Sequence, residues 1–231
     1  MPTRGLMTPE LMTAAIHSTI AAPAATWLEI LDFADRTKSY GFPVLAVQGC
    51  WARDVRQVLK GSTTKVSVFV GHSLGGSPVR AKVTEVTEGL AAGAEMFEYL
   101  PNLGFLRTGL LSRFKEELAA VVGAAEGRPV CAYFGVTSLN TDECIRAAGL
   151  AEAAGVRIVC GAGGWGIGSP ATEQGVRMLR TMVGERVGIK AAGSIDDLDS
   201  ALRMMASGAD CLGTSSGFRI IDELKKRRPK R

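Results

Sequence analysis

The residue best placed to do chemistry is Lys190, set inside the apolar run Val187-Gly188-Ile189-Lys190-Ala191-Ala192-Gly193. Burial disfavours an ammonium, and a neutral amine attacks a carbonyl carbon to form a Schiff base. The plainer reading is a lysine paired with a carboxylate of the same interior. His17, Gln48, His72, Glu98, Asn102, Tyr133, Cys160 and Ser215 also fall at the ends of short apolar runs. Glu98 and His17 offer acid/base groups, with His72 in reserve, since a histidine near its ordinary pKa suits proton transfer at neutral pH. Cys160 reads either as a thiolate nucleophile made acidic by a nearby cation or as a small apolar filler.

Two glycine-bearing turns suit an anion. Gly193-Ser194-Ile195-Asp196 and Gly213-Thr214-Ser215-Ser216-Gly217 offer backbone N–H groups in front of a helix N-terminus, the arrangement that cradles phosphate. A third stretch, residues 161–168 with Gly163 in its middle, reads as a lid over the ligand or as plain loop.

These groups need a scaffold, and the hydrophobic pattern supplies one. Apolar runs at 44–47, 66–70, 96–100, 130–134, 157–160, 188–192 and 210–213, with a weaker one at 15–20, suit parallel strands buried on both faces. Helical periodicity predicts helices over 77–89, 110–125, 140–154, 173–183 and 196–206. Asn140 and Asp196 are the expected N-caps, Asn140 with Glu143 as its capping-box partner. Gly93, Gly155 and Gly208 stand where helices must turn back. Alternating units without a linker indicate one α/β domain, a (β/α)8 TIM barrel over 1–224 with a short N-terminal helix and a disordered basic tail over 225–231. A doubly wound open sheet is the competing fold. In a barrel, the chemistry gathers at the C-terminal strand ends where the residues above fall.

Composition narrows the setting. The chain has 231 residues, 46% hydrophobic and 22% charged, which suits a single globular domain. No apolar run reaches membrane-spanning length, and the opening MPTRGLMTPELMTAA lacks a secretory apolar core. Six of the 27 basic residues crowd the last seven positions; without them 21 basic residues face 23 acidic ones. The folded body is therefore slightly acidic, and no nucleic-acid or membrane partner is expected. Five scattered cysteines without a CxxC pair, and two distant histidines, predict no metal site, no cofactor and a reducing cytoplasm.

Several motifs resemble the deoxyribose-phosphate aldolase family along nearly the whole chain. Residues 70–76, VGHSLGG, are similar to that family's VGFPLGA, and residues 93–104, GAEMFEYLPNLG, to its GADEIDMVINIG. The clearest matches are residues 188–193, GIKAAG, and 213–217, GTSSG. The resemblance implies that Lys190 is the family's second lysine and Glu98 its strand 4 aspartate. It places His17 at the aspartate of the DHT motif and Tyr133 at the strand 5 glutamate. Gly193, Ser215 and Ser216 are kept on the phosphate side, whereas a second glycine becomes Ser194. Cys160 stands where the family's Schiff-base lysine belongs.

The resemblance thus implies a carbon–carbon lyase on a small carbonyl substrate, phosphorylated by default, without its usual nucleophile. Lys190 is the replacement amine, with Glu98, His17, Cys160 and Tyr133 as catalytic candidates. Gly193, Ser194, Ser215, Ser216, Gly163, Asn102 and His72 are the substrate-binding candidates. A diverged cyclase or condensing enzyme using Cys160 or acid/base groups is the alternative, and a non-catalytic ligand-binding barrel the third reading. Apolar helix faces of such barrels would also support a homodimer.

Overall fold

The computed structural model describes residues 7–136, 138–161 and 170–227. Eight parallel strands close in sequence order into a barrel: β1 (Ile16–Thr19), β2 (Val44–Val47), β3 (Lys65–Val70), β4 (Met96–Tyr99), β5 (Val130–Tyr133), β6 (Ile158–Cys160), β7 (Gly188–Ala192) and β8 (Cys211–Thr214). Closure through β1 and β8 leaves no sheet edge and excludes the open-sheet alternative.

Ten helices are seen among the described residues. They are α1 (Pro9–Ala15), α2 (Trp27–Tyr40), α3 (Ala52–Val58), α4 (Val79–Ala91), α5 (Leu103–Arg107), α6 (Leu111–Ala124), α7 (Thr141–Ala154), α8 (Glu173–Met182), α9 (Leu198–Ala206) and α10 (Gly217–Arg227). A 3-10 turn, Gly49–Trp51, leads into α3. Helices α2, α3, α5 and α10 lie outside the segments expected from periodicity. The signal for α2 was local: Thr26 and Glu29 form a reciprocal capping box, and Gly41 closes the helix in the left-handed region.

Two boundaries need correcting. The N-cap of α9 is Asp197, whose side chain accepts from the Ser200 N–H, not Asp196. The expected domain boundary at 224/225 falls inside α10, whose last turn carries Lys225, Lys226 and Arg227. Cations there complement the carbonyl end of the helix dipole.

Strand alternation divides the interior in two. Residues such as Leu45, Val47, Phe97, Ala132, Val159 and Ile189 pack outward beneath the helices. Val44, Met96, Leu100, Cys131, Tyr133, Cys160 and Ala192 form a separate cluster within the barrel. The polar residues of the site share that inner face.

Candidate active site

Glu98 on β4 and Lys190 on β7 meet across the barrel. Lys190 Nζ donates to Glu98 Oε1 at 2.6 Å, and neither side chain is exposed to solvent. Ser67 Oγ on β3 donates to the same oxygen at 3.4 Å. Lys190 also stands 5.8 Å from the Tyr133 ring centroid. Space for its stem comes from β8: a Cβ on Gly213 would lie 2.7 Å from Lys190 Cε. A side chain there would push the lysine aside, so glycine at 213 is part of how Lys190 is aimed.

Register places the remaining candidates around this pair. Cys160 and Cys211 flank Lys190 on the neighbouring strands, Tyr133 pairs with Cys160, and Cys131 pairs with Glu98. His17 on β1 lies opposite Gly213. His72, in the turn after β3, sits edge-on to Tyr133 with centroids 5.4 Å apart. His17, Tyr133, Glu98, Lys190, Cys160 and His72 therefore form one cluster.

The electrostatics favour an ion pair at rest. Burial opposes both charges, yet each partner overrides it for the other. The Glu98 carboxylate holds Lys190 above the usual lysine range, and the Lys190 ammonium holds Glu98 below the usual carboxylate range. The histidines differ from the expected near-ordinary imidazoles. Burial, aided by the Lys190 charge, lowers His17 to about 3; burial lowers His72 to about 4. Both are neutral at pH 7 and act as acceptors or as tautomeric donors, not as standing acids. Burial and the Glu98 charge raise Cys131 and Tyr133, and burial raises Cys211 to about 12. His17 Nδ1, both His72 ring nitrogens and Glu98 Oε2 are buried without a hydrogen-bond partner among the described residues. Such groups are costly unless satisfied, and here they converge at the place where a polar ligand would satisfy them.

The β7 and β8 turns lie beside this cluster. Gly193 and Ser194 both have positive φ, 94° and 54°. Thr214 Oγ1 donates to the Ile195 carbonyl at 2.6 Å and accepts the Ser216 N–H at 2.8 Å, tying the turns together. Ser216 Oγ donates to Asp196 Oδ1 at 3.4 Å, and Ser215 is exposed. Asn102 is the N-cap of α5, its side chain accepting from Gly104 N–H, so it shapes the mouth by fixing a loop. Gly163 and the expected lid lie outside the described residues.

A second buried network was not anticipated. Glu117 Oε1 on α6 accepts from Lys82 Nζ at 2.5 Å, Tyr99 OH at 2.5 Å and Asn102 N at 2.9 Å. Lys82 Nζ also donates to the Gly75 carbonyl at 2.6 Å. The network braces the loop that carries His72 against the loop that carries Asn102. Lys82 lies on the buried face of α4, fully enclosed.

Comparison with known proteins places this geometry. No family model matches the chain. The deoxyribose-phosphate aldolase of Thermococcus gammatolerans is 34% identical over 211 residues, covering 90% of this chain and 93% of that protein. That of Caldanaerobacter subterraneus subsp. tengcongensis is 31% identical over 214 residues, covering 91% and 92%. The chain belongs to the deoxyribose-phosphate aldolase family. The barrel of the tetrameric deoxyribose phosphate aldolase from Aeropyrum pernix superposes with a TM-score of 0.87 at 22% identity, covering 94% of this chain and 92% of that one. An aldolase called QR15 superposes with a TM-score of 0.88 at 25% identity, covering 94% and 97%. Within this deoxyribose-phosphate aldolase scaffold, no group of three or more metal-ligating side chains occurs among the described residues. No described helix is long and apolar enough to cross a membrane.

Proposed function

We propose that the chain is an aldolase-type lyase that makes or breaks a carbon–carbon bond next to a carbonyl, with Lys190 as its amine and Glu98 as the proton carrier. The observation that carries this reading is the fully enclosed contact of 2.6 Å between Lys190 Nζ and Glu98 Oε1. At rest Lys190 is an ammonium and cannot attack. Transfer of one proton across the hydrogen bond gives a neutral amine and a neutral acid, a form that low dielectric assists because it removes both buried charges.

The neutral amine then adds to the substrate carbonyl carbon. The carbonyl oxygen leaves as water, one proton coming from Glu98 and one from the amine nitrogen. Loss of that water leaves the nitrogen, which keeps one hydrogen, as a cationic iminium beside the Glu98 carboxylate. In the cleavage direction a carboxylate or imidazole base takes the proton of the β-hydroxyl. The carbon–carbon electron pair moves toward the iminium, giving an enamine and a free aldehyde. Glu98 and neutral His17 are the bases within the cluster. Deoxyribose phosphate in the relatives' names makes a short phosphorylated hydroxyaldehyde the comparison substrate. The reading departs from an ordinary family member at Cys160, a thiol in register with Lys190, which cannot form an iminium.

The test is chemical trapping. Incubation with glyceraldehyde or acetaldehyde, reduction with borohydride and peptide mapping should place a stable adduct on Lys190, absent from Lys190→Ala. Cys160→Ser should keep it. A thioether at Cys160 with no lysine adduct would instead support thiol chemistry. If neither variant changes any activity or ligand binding, both residue assignments fail.

A further inference from the structure

We propose that Lys82 and Glu117 are positioning residues for the reaction: their buried pair, outside the barrel wall, fixes where β4 presents Glu98 to Lys190 and where the loop after β3 holds His72. The inference rests on the lyase reading for which step is positioned.

Consecutive residues of β4 carry the two networks. Side chains alternate across a strand, so Glu98 faces Lys190 inside the barrel while Tyr99 packs outward beneath the helices. Tyr99 OH donates to Glu117 Oε1 at 2.5 Å, and the same oxygen accepts from Lys82 Nζ and the Asn102 N–H. One carboxylate oxygen on α6 thus gathers α4, the end of β4 and the loop that follows. A shift at Glu117 passes to Tyr99 and, through one peptide unit, to Glu98.

The loop after β3 is held from α4 at both of its ends. Lys82 Nζ donates to the Gly75 carbonyl at 2.6 Å, and the Gly71 N–H donates to Glu85 Oε2 at 2.6 Å. The Gly75 N–H closes the loop on the Gly71 carbonyl at 2.9 Å. A Cβ at Gly71 would lie 2.8 Å from the Leu100 carbonyl oxygen and 2.9 Å from Lys82 Cε. The loop therefore rests on the end of β4 and on the lysine stem. Between those two glycines, His72 is set against Phe69 and Tyr133, with ring centroids 5.0 and 5.4 Å away.

Stability alone does not call for an ion pair here. Lys82 and Glu117 are both enclosed, and the attraction between two such charges barely offsets their lost hydration. Burial holds Lys82 below the usual lysine range in spite of its partner, and Glu117 Oε2 has no hydrogen-bond partner among the described residues. An apolar pair of similar size would fill the space. It would not collect three donors at one point between two loops.

The experiment replaces the pair instead of breaking it, since a lone buried charge is strongly destabilising. Lys82→Met with Glu117→Leu is compared with Lys82→Met with Glu117→Gln, which keeps an oxygen for Tyr99 and Asn102. Tyr99→Phe leaves the ion pair in place and guards against a fold lost in the first variant. Each is mixed with acetaldehyde over a range of concentrations, quenched with borohydride at intervals and mapped for adduct at Lys190. The Met/Leu variant should lose about 10- to 100-fold in maximal rate, the scale of a misplaced reacting group, while its half-saturating concentration changes less than about threefold. Its urea midpoint should stay near that of wild type. Tyr99→Phe should also be slower, and the Met/Gln variant should recover part of the Met/Leu loss.

A second readout needs no adduct. His17 and His72 are the chain's two histidines, so imidazole NMR follows the loop directly. His72 faces Glu98 from β4, Lys190 from β7 and Tyr133 from β5. Burial lowers the two rings to about 3 and about 4, so neither should titrate between pH 5 and 8 in wild type. In the Met/Leu variant His72 should titrate within that window while His17 stays silent.

Unchanged maximal rates in both Met/Leu and Tyr99→Phe overturn the proposal. So does a loss of rate that merely follows the urea midpoint, or one that Met/Gln does not relieve. If wild type forms no adduct at Lys190, the Schiff-base reading fails by itself. The His72 titration then decides this proposal alone: a silent His72 in Met/Leu sinks it, and a titrating one supports it.

Discussion

Lys190 and Glu98, 92 residues apart in sequence, share a hydrogen bond of 2.6 Å with no solvent access to either side chain. Each charge is tolerable only because the other is there. The same contact stabilises the resting barrel and, by exchanging its proton, would generate a nucleophile. Removing one partner therefore tests more than removing both.

Lys190→Met should destabilise the protein by about 3–5 kcal/mol, because it strands a buried carboxylate. Lys190→Met combined with Glu98→Leu should recover a large part of that loss while remaining unable to trap aldehydes. Urea denaturation of the single and double variants measures the coupling. Additive losses would show that the pair is not energetically coupled.

Acid should weaken the fold through His17. Its folded pKa, lowered to about 3 from 6.5, means that the unfolded chain binds a proton throughout the interval between those values while the native state does not. Stability should fall as pH drops from 6.5 toward 3, by about 5 kcal/mol from this group once fully developed. Glu98, lowered by its pairing, adds a loss as pH falls below the ordinary carboxylate range. Lys190, raised by the same pairing, contributes stability that is lost only in strong alkali. Denaturation midpoints between pH 4 and 7 should show a shallower dependence for His17→Gln than for wild type.

Gly213→Ala should disturb Lys190 without touching its chemistry. The new methyl would lie 2.7 Å from Lys190 Cε and 3.0 Å from Ala192 Cβ, and the lysine is tethered at its tip. Overpacking of this kind costs about 1–3 kcal/mol. The rate of adduct formation at Lys190 should fall at least as sharply as stability. An unchanged trapping rate would show that the stem has room to move.

Tyr99→Phe removes one of the three donors to Glu117 Oε1. A hydrogen bond to a buried charge contributes about 1.5–3 kcal/mol, and this loss should appear in thermal or urea unfolding. Hydrogen exchange at the Asn102 amide, which shares that oxygen, should quicken as well. Faster exchange confined to distant strands would count against a brace between the two loops.

The strands were legible because parallel strands covered on both faces are nearly unbroken apolar runs; β2 and β7 fall on their expected limits. Helix α7 was legible from Asn140 and Glu143, a reciprocal cap written in local spacing. Helix α2 carries an equally local box at Thr26 and Glu29, so its signal was present and unused. Asp196 and Asp197 show the limit of such reading. Either aspartate can cap a helix, and one residue of difference decides which caps α9 and which faces the Ser216 turn.

By itself the sequence determined the strand repeat, the barrel and the set of reactive side chains at the strand ends, since these follow from period, burial and residue type. It did not determine which of them touch. Closure of the barrel turned a lone buried lysine into half of an ion pair and brought Ser67 and Gly213 against it. Burial among the strands then made both histidines neutral. Helices α4 and α6 hid Lys82 and Glu117, whose periodicity is that of any amphipathic surface. Charge state and contact depend on the distances between elements far apart along the chain, and those distances exist only once the eight strands have closed.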